Sequence, residues 1–528
     1  MHYRNWFLLS CGLVLAASAC SSDGDDMGGS GGMSGKGGAG AGSGGRLPGG
    51  GSSQGGSQQG GSQQGGSQHG GSHQGGSHQA GSTGDTGGAS PGGVGNVGNE
   101  AGGAGGGVVA PFLTLDGSMP LVIGHRGLPG LHPEETEVSY TAAADAGADS
   151  LEEDLHLSKD CVLMARHNPW LSDNTNIKAV AATNADVMAR KRTKPGEAIA
   201  VLYDSATVGG PATYLSDQND PLKELVVDGE EHVNDWSITD FTKDELKSWF
   251  GGTTYDDAAE RPTAENGLYP ILTMQEIIDL QKAKMASTGR VISVYPEAKN
   301  PYWNNEQAKA NGCGTGTHPF EDAIVKLIKD NDLNTANSPI FVQSFDPDSL
   351  IYMRSIGLKT KAVQLIDASD YDLKTGAMSY KTNDIYNFID GRPYSWTVAG
   401  KTETFGDMIT AAGLDTIKTY ADGIGPWKPQ VMSWRVKPYP TAPGFAPTLP
   451  GDVNTVTSTG LIALAHSKGL LVHVYTFRNE TKYLAEYYHG DPSQEFLTFF
   501  REGVDGVFTD FANTGFAARA LYLTETGR

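Results

Sequence analysis

The sequence predicts an α/β fold, a (β/α)₈ TIM barrel with one large insertion, preceded by a disordered Gly/Ser/Gln-rich tether. Three observations carry that expectation. From Pro111 onward, short apolar runs alternate with helix-like segments, the pattern of parallel strands joined by crossover helices. Eight or so such units within the 418 residues from Pro111 to the end match one barrel more simply than two domains. More than half of the 72 glycines lie between Ser21 and Ala110, where no packed core can use them.

The strand-like runs are, in order, Leu121 to Gly124, Ser150 to Leu157, Val162 to Arg166, Val291 to Tyr295, Ile340 to Gln343, Lys361 to Leu365, Leu470 to Tyr475 and Gly506 to Thr509. Helix-like segments lie between many of them. Thr273-Met274-Gln275-Glu276 is a capping-box signature opening an apolar-periodic stretch, and Asp346-Pro347 supplies an N-cap and a first-turn proline before the next one. Residues from about Asn174 to Glu265 break the rhythm, being polar and loop-rich, and read as an insertion. Long excursions from barrels sit near the substrate mouth, so this one is expected to restrict entry. Its basic run, Arg190-Lys191-Arg192-Thr193-Lys194, reads as a solvated loop.

Met1 to Cys20 carries Arg4, an apolar run from Trp6 to Ala17, and the small residues Ser18 and Ala19 ahead of Cys20, which reads as an export signal. With a cysteine at the cleavage point, it resembles a bacterial lipoprotein signal in which Cys20 is lipidated. The alternative is an ordinary signal giving a periplasmic or secreted protein. Residues 21–110 form a linker in which a pentad repeats from Gly50 to Gln79; as a flexible polar tether its root-mean-square reach is roughly 50 Å. The chain is thus expected to be exported, an outer-membrane lipoprotein facing the periplasm or the cell surface, and to meet a membrane only through its lipid. Outside the signal stand Cys161 and Cys313, either a disulfide or two separate thiols. The formal net charge of -22 excludes a nucleic-acid partner that needs clustered Lys and Arg, and no protein partner is inferred.

Chemistry concentrates within about fifty residues. Glu152 and Asp154 are two apart in a strand-like run, so alternation sends both carboxylates to one face. Oxygen ligands without nearby thiolates point to a hard cation, Ca²⁺ or Mg²⁺. His125-Arg126-Gly127 closes the first strand, where barrel active sites gather, and Arg126 offers a planar fork for phosphate oxygens. Gly127 and Gly130 let the following loop approach closely. With His167, two imidazoles and a carboxylate cluster supply the parts for cutting a phosphodiester.

The segments GHRGLPGLHPEET, GADSLEEDLHLSKD and MARHNPWL together resemble the N-terminal signature of the glycerophosphodiester phosphodiesterase family, nearest its larger bacterial exported form. Tyr295-Pro296-Glu297-Ala298-Lys299, Gln343-Ser344-Phe345-Asp346, and the run from Gly503 to Asp510 continue the likeness. The resemblance implies metal-dependent hydrolysis of small glycerophosphodiesters to glycerol 3-phosphate and an alcohol. It implies His125 and His167 as the acid/base pair, and Arg126, Glu134 and Lys299 around the phosphate. Glu152, Asp154 and Glu297 would bind a divalent cation, Ca²⁺ ahead of Mg²⁺. Two competing expectations are a phospholipase D-like or sphingomyelinase D-like lyase stopping at a cyclic phosphate, and a surface-displayed binding protein without turnover. Two departures stand out: Asn168 where the family commonly has Asp, and Cys161 in place of a turn glycine.

Overall fold

The computed structural model describes residues 111–192, 225–228, 230–232, 234–254, 260–380, 391–436 and 454–528. The signal, Cys20, the tether and part of the insertion lie outside them. Eight strands form a closed parallel barrel: β1 (Leu121–His125), β2 (Ser150–Leu157), β3 (Ser293–Ala298), β4 (Phe341–Ser344), β5 (Lys361–Ile366), β6 (Gly423–Pro426), β7 (Leu471–Phe477) and β8 (Gly506–Thr509). Each pairs in parallel with the next, and β8 returns to β1.

The helix standing last before each return to the sheet is α1 (Glu137–Asp145), α2 (Met274–Thr288), α3 (Pro319–Asp330), α4 (Pro347–Ser355), α5 (Ala411–Ile417), α6 (Leu461–Ser467) and α7 (Pro492–Glu502) in turn; α8 (Ala512–Glu525) follows the last strand. The cap signals act as the sequence predicts. Thr273 and Glu276 form a reciprocal capping box on α2, and the Asp346 side chain accepts from Asp348 N at the start of α4.

Strand alternation divides the core in two. Ile123, Tyr295, Phe341, Val363 and Phe508 fill the barrel, while Val122, Val294, Val342 and Val507 pack outward against the helices. Burial on both faces explains why these strands read as nearly continuous apolar runs.

Two expected elements differ. Leu163–Ala165 is not a barrel strand but folds back antiparallel on the end of β2. The strand that completes the barrel is Gly423–Pro426, whose Gly-Ile-Gly-Pro sequence carries no strand pattern. Gly425 packs closely there: a Cβ would lie 2.5 Å from Leu365 Cδ2 on β5, so that side chain would have to shift.

The described part of the insertion follows β2 and precedes α2, which puts it on the strand ends that carry the site. Its Trp236, Ile238, Phe241, Leu246 and Phe250 are buried together in a cluster that also takes in Met164, Ile271 and Trp303. The basic run is not a solvated loop where it is described. Arg190 forks onto Glu245 with contacts of 2.8 and 2.7 Å, and the buried Arg192 makes two bonds to Asp240. Cys161 and Cys313 form a disulfide with a Cα separation of 5.4 Å. Cys161 holds φ at +68°, so the turn keeps the left-handed backbone that a glycine would adopt freely. Among the described residues, no helix is long and apolar enough to cross a membrane.

Candidate active site

Parallel register assembles the site. His125 lies opposite Glu152, and Asp154 lies opposite Glu297, which in turn faces Gln343 on β4. Glu152, Asp154 and Glu297 are buried, with ligand oxygens all within 4.8 Å of one another. This is no solvated edge strand, since every residue of β2 is buried.

Three carboxylates in so small a volume cannot all be charged without a cation. Burial, and after it the Asp154 charge, raises Glu152 well above its ordinary range. Burial also pushes Glu297 up to about 8, although Lys299 opposes it. Asp154 is instead held well below its usual value, because Lys299 and Arg126 outweigh the burial that would raise it. An all-oxygen, buried and strongly repelling donor set fits a hard divalent ion.

Arg126 has φ of +55°, which turns its amide to donate to Glu152 Oε2 at 2.9 Å while the guanidinium reaches Asp154 Oδ2 at 2.8 Å. Its Nη1 sits 3.2 Å from Glu134 Oε2, and Asn174 Nδ2 donates to the other oxygen of Glu134. Glu134 therefore anchors the arginine. Lys299 Nζ is 3.2 Å from Glu297 and 3.6 Å from Asp154. The loop carrying Arg126 needs both of its glycines: Gly127 has φ of +94°, and a Cβ on Gly130 would lie 2.3 Å from the Phe511 ring.

The two histidines have unlike surroundings. His125 Nδ1 bonds Asp510 Oδ1 at 2.6 Å, just beyond the end of β8. Burial and Arg126 lower its pKa, and Asp510 works in the opposite direction. His167 has no hydrogen bond at Nδ1 among the described residues. Burial, then Arg126 and Lys299, puts it well below the ordinary histidine value. Asn168 does not face it as a charge partner, since its amide donates to Asp173, as does Trp170 Nε1.

The structure thus brings together His125, Arg126, Glu134, Glu152, Asp154, His167, Glu297 and Lys299. Residue reasoning missed those that hold them. Gln343 Nε2 donates to Glu152 Oε1 at 3.0 Å, and Glu135 accepts from Asp154 N at 3.1 Å while taking the Tyr140 hydroxyl at 2.6 Å. Nothing in Glu134-Glu135 says which one reaches β2. Asp510 carried a signal, as an acid directly after a barrel strand.

Residues 125–514 match the model of the glycerophosphoryl diester phosphodiesterase family. The chain belongs to that family. A glycerophosphodiester phosphodiesterase of Arabidopsis thaliana is 29% identical over 410 residues, covering 76% of this chain and 86% of the relative. One from Haemophilus influenzae is 23% identical over 406 residues, covering 75% and 88%. A solved phosphodiesterase of Oleispira antarctica, in complex with the product sn-glycerol-3-phosphate, shares 14% identity at a TM-score of 0.40 and covers 77% of this chain and 98% of its own. In this chain the eight grouped side chains run from the end of β1 to just beyond β3.

Proposed function

We propose that this family member hydrolyses small glycerophosphodiesters to glycerol 3-phosphate and an alcohol, with His125 as base and His167 as acid. One observation carries the reading: Arg126 and Lys299 both reach Asp154, at 2.8 and 3.6 Å, beside Glu152, which lies opposite His125, and His167 is close enough to act on the Asp154 charge. With Nδ1 held by Asp510, the other ring nitrogen of His125 is left to accept a proton. That proton comes from the glycerol 2-hydroxyl or from water. The freed oxygen bonds to phosphorus as the bond from phosphorus to the alcohol breaks, and His167 delivers a proton to the departing oxygen. Where the 2-hydroxyl attacks, the product is a cyclic phosphate that water opens: His167 takes the water proton, the water oxygen bonds to phosphorus as the bond to the 2-oxygen breaks, and His125 returns its proton to that oxygen.

Arg126 and Lys299 hold the phosphate. Burial depresses His167 most, and Arg126 and Lys299 add to it; the phosphate's negative charge opposes those two cations and so raises proton affinity where the acid needs it. A divalent cation, Ca²⁺ or Mg²⁺, when held by Glu152, Asp154 and Glu297, supplies further positive charge against the charge that builds at phosphorus.

We also read the chain as exported and lipidated at Cys20, with residues 21–110 as its tether and 174–265 as an insertion. The signal-like Met1 to Cys20 and a disulfide suited to an oxidising compartment support this. Mass spectrometry of membrane-extracted protein tests it: a diacylated Cys20 is expected, and an unmodified soluble N-terminus would overturn it.

For the activity, purified protein is incubated with glycerophosphocholine or glycerophosphoethanolamine and followed by phosphorus NMR. Glycerol 3-phosphate is expected, lost with chelator and regained with Ca²⁺ or Mg²⁺. A cyclic phosphate that persists would favour the lyase; no product with either cation would favour the binding protein.

A further inference from the structure

We propose that Arg261, from the inserted segment, is a positioning residue for catalysis, acting through Asp510 on His125. The inference rests on the reading of His125 as the base. It gives the insertion a task inside the chemistry in addition to any effect on entry.

The geometry is a chain of contacts across three elements of the barrel mouth. Arg261 Nη2 donates to Asp510 Oδ2 at 2.6 Å, and its Nε donates to Glu480 Oε1 at 2.7 Å, beyond β7. Arg478 Nε reaches the same Asp510 oxygen at 3.0 Å. The other oxygen of Asp510 is thereby left to His125. All three principal members are nearly closed to solvent: Arg261 is 7%, Glu480 5% and Asp510 1% exposed. Arg261 also lies over the Phe511 ring at 5.6 Å, which fixes the guanidinium on its apolar side.

The arrangement solves an orientation problem. A carboxylate at the end of a strand has rotational freedom, and a histidine held by it inherits that freedom. Two guanidinium contacts on Oδ2 fix the carboxylate plane, so Oδ1 presents one direction to Nδ1 and the imidazole is locked in a single tautomer. The fork matters as well as the charge. Arg261 spans Asp510 and Glu480 with two nitrogens in one plane, which an ammonium cannot reproduce.

Arg261 is tied to His125 by two consecutive hydrogen bonds.

The test is a double-mutant cycle on the full-length protein, reading kcat and KM separately. Arg261→Met is expected to lower kcat about tenfold with KM little changed, since Arg478 still holds Asp510. In an Asp510→Asn background the same substitution is expected to have no further effect on kcat. Arg261→Lys should lose about threefold, again only when Asp510 is present, and it serves if the methionine variant does not fold. Added methylguanidine should recover part of the Arg261→Met loss. An unchanged kcat in Arg261→Met, an equal loss with and without Asp510, or a rise confined to KM would each overturn the inference. The two readings fail differently: activity retained in His125→Ala sinks the base assignment, whereas a dead His125→Ala beside an unaffected Arg261→Met sinks only the role of Arg261.

Discussion

The two halves of the barrel divide the chemistry unequally. β1 to β3 and the loops after them supply both histidines, the three clustered carboxylates proposed to hold the cation, Arg126 and Lys299; β4 to β8 supply Gln343 and Asp510, which hold those groups in place. A closed sheet makes this division workable, because β8 returns to β1 and sets an acid from the last strand against a histidine from the first. One half reacts and the other half aims. The difference teaches that a side chain's distance from the signature motif in sequence says little about its distance from the reaction.

The largest effects should come from the reacting half. His125→Ala and His167→Ala are each expected to lower kcat by about 10³-fold or more, with glycerol 3-phosphate release as the readout and an unchanged circular dichroism spectrum as the check on folding. They should also separate from each other. A substrate with a good leaving group, such as a nitrophenyl ester, needs no proton at the departing oxygen, so it should rescue His167→Ala and leave His125→Ala inactive. Rescue of His125→Ala instead would reverse the two roles.

A substitution in the aiming half comes next. Asp510→Asn keeps size and hydrogen bonding but removes the charge that favours the Nδ1–H tautomer of His125, and about a 10²-fold loss in kcat is expected. A loss as large as that of His125→Ala would break the comparison, since Asp510 would then belong with the reacting groups. An effect under about twofold would break it from the other side.

A buried acid outside the site should act on stability alone. Glu321, in α3, accepts from Asn305 Nδ2 at 2.8 Å, and burial pushes its pKa up to about 7, with Asp346 adding to the rise. A raised acid contributes stability that is fully present below its unfolded value near 4.5 and is lost as pH climbs through the folded value. Between pH 4.5 and 7 the chain should therefore lose about 3 kcal/mol that Glu321→Gln does not lose. Thermal melts across that window measure it. A change in kcat for Glu321→Gln would show that α3 is coupled to the chemistry after all.

The reacting half was also the legible half. Glu152 and Asp154 declared a shared face by their spacing, and His125 declared a strand end by the apolar run before it. Gly423–Pro426 hid a barrel strand because two glycines and a proline suit a tightly packed parallel position but carry no apolar alternation. Arg261 gave no signal at all, since its role depends on a fold that brings residue 261 to residue 510. Leu163–Ala165 misled by reading as a strand and being one, paired antiparallel outside the ring of eight. Local pattern fixes an element's type; closure of the sheet decides its partners.

The smallest expected effect concerns a strained turn that the disulfide occupies. Cys161 holds φ at +68°, where a Cβ costs about 1 kcal/mol, yet its bond to Cys313 closes a loop of sequence separation 152. On the chain-entropy model that cross-link contributes about 5 kcal/mol, so the bond outweighs the strain several-fold. Cys161→Ser loses the bond and keeps the strain, whereas Cys161→Gly loses the bond and relieves it. Urea unfolding should then place Cys161→Gly about 1 kcal/mol above Cys161→Ser, with both well below the parent chain and both retaining kcat. Equal stabilities for the two variants would mean that the turn relaxes once the cross-link is gone. A lower kcat in either would mean that the disulfide helps to aim the site as well as to hold the fold.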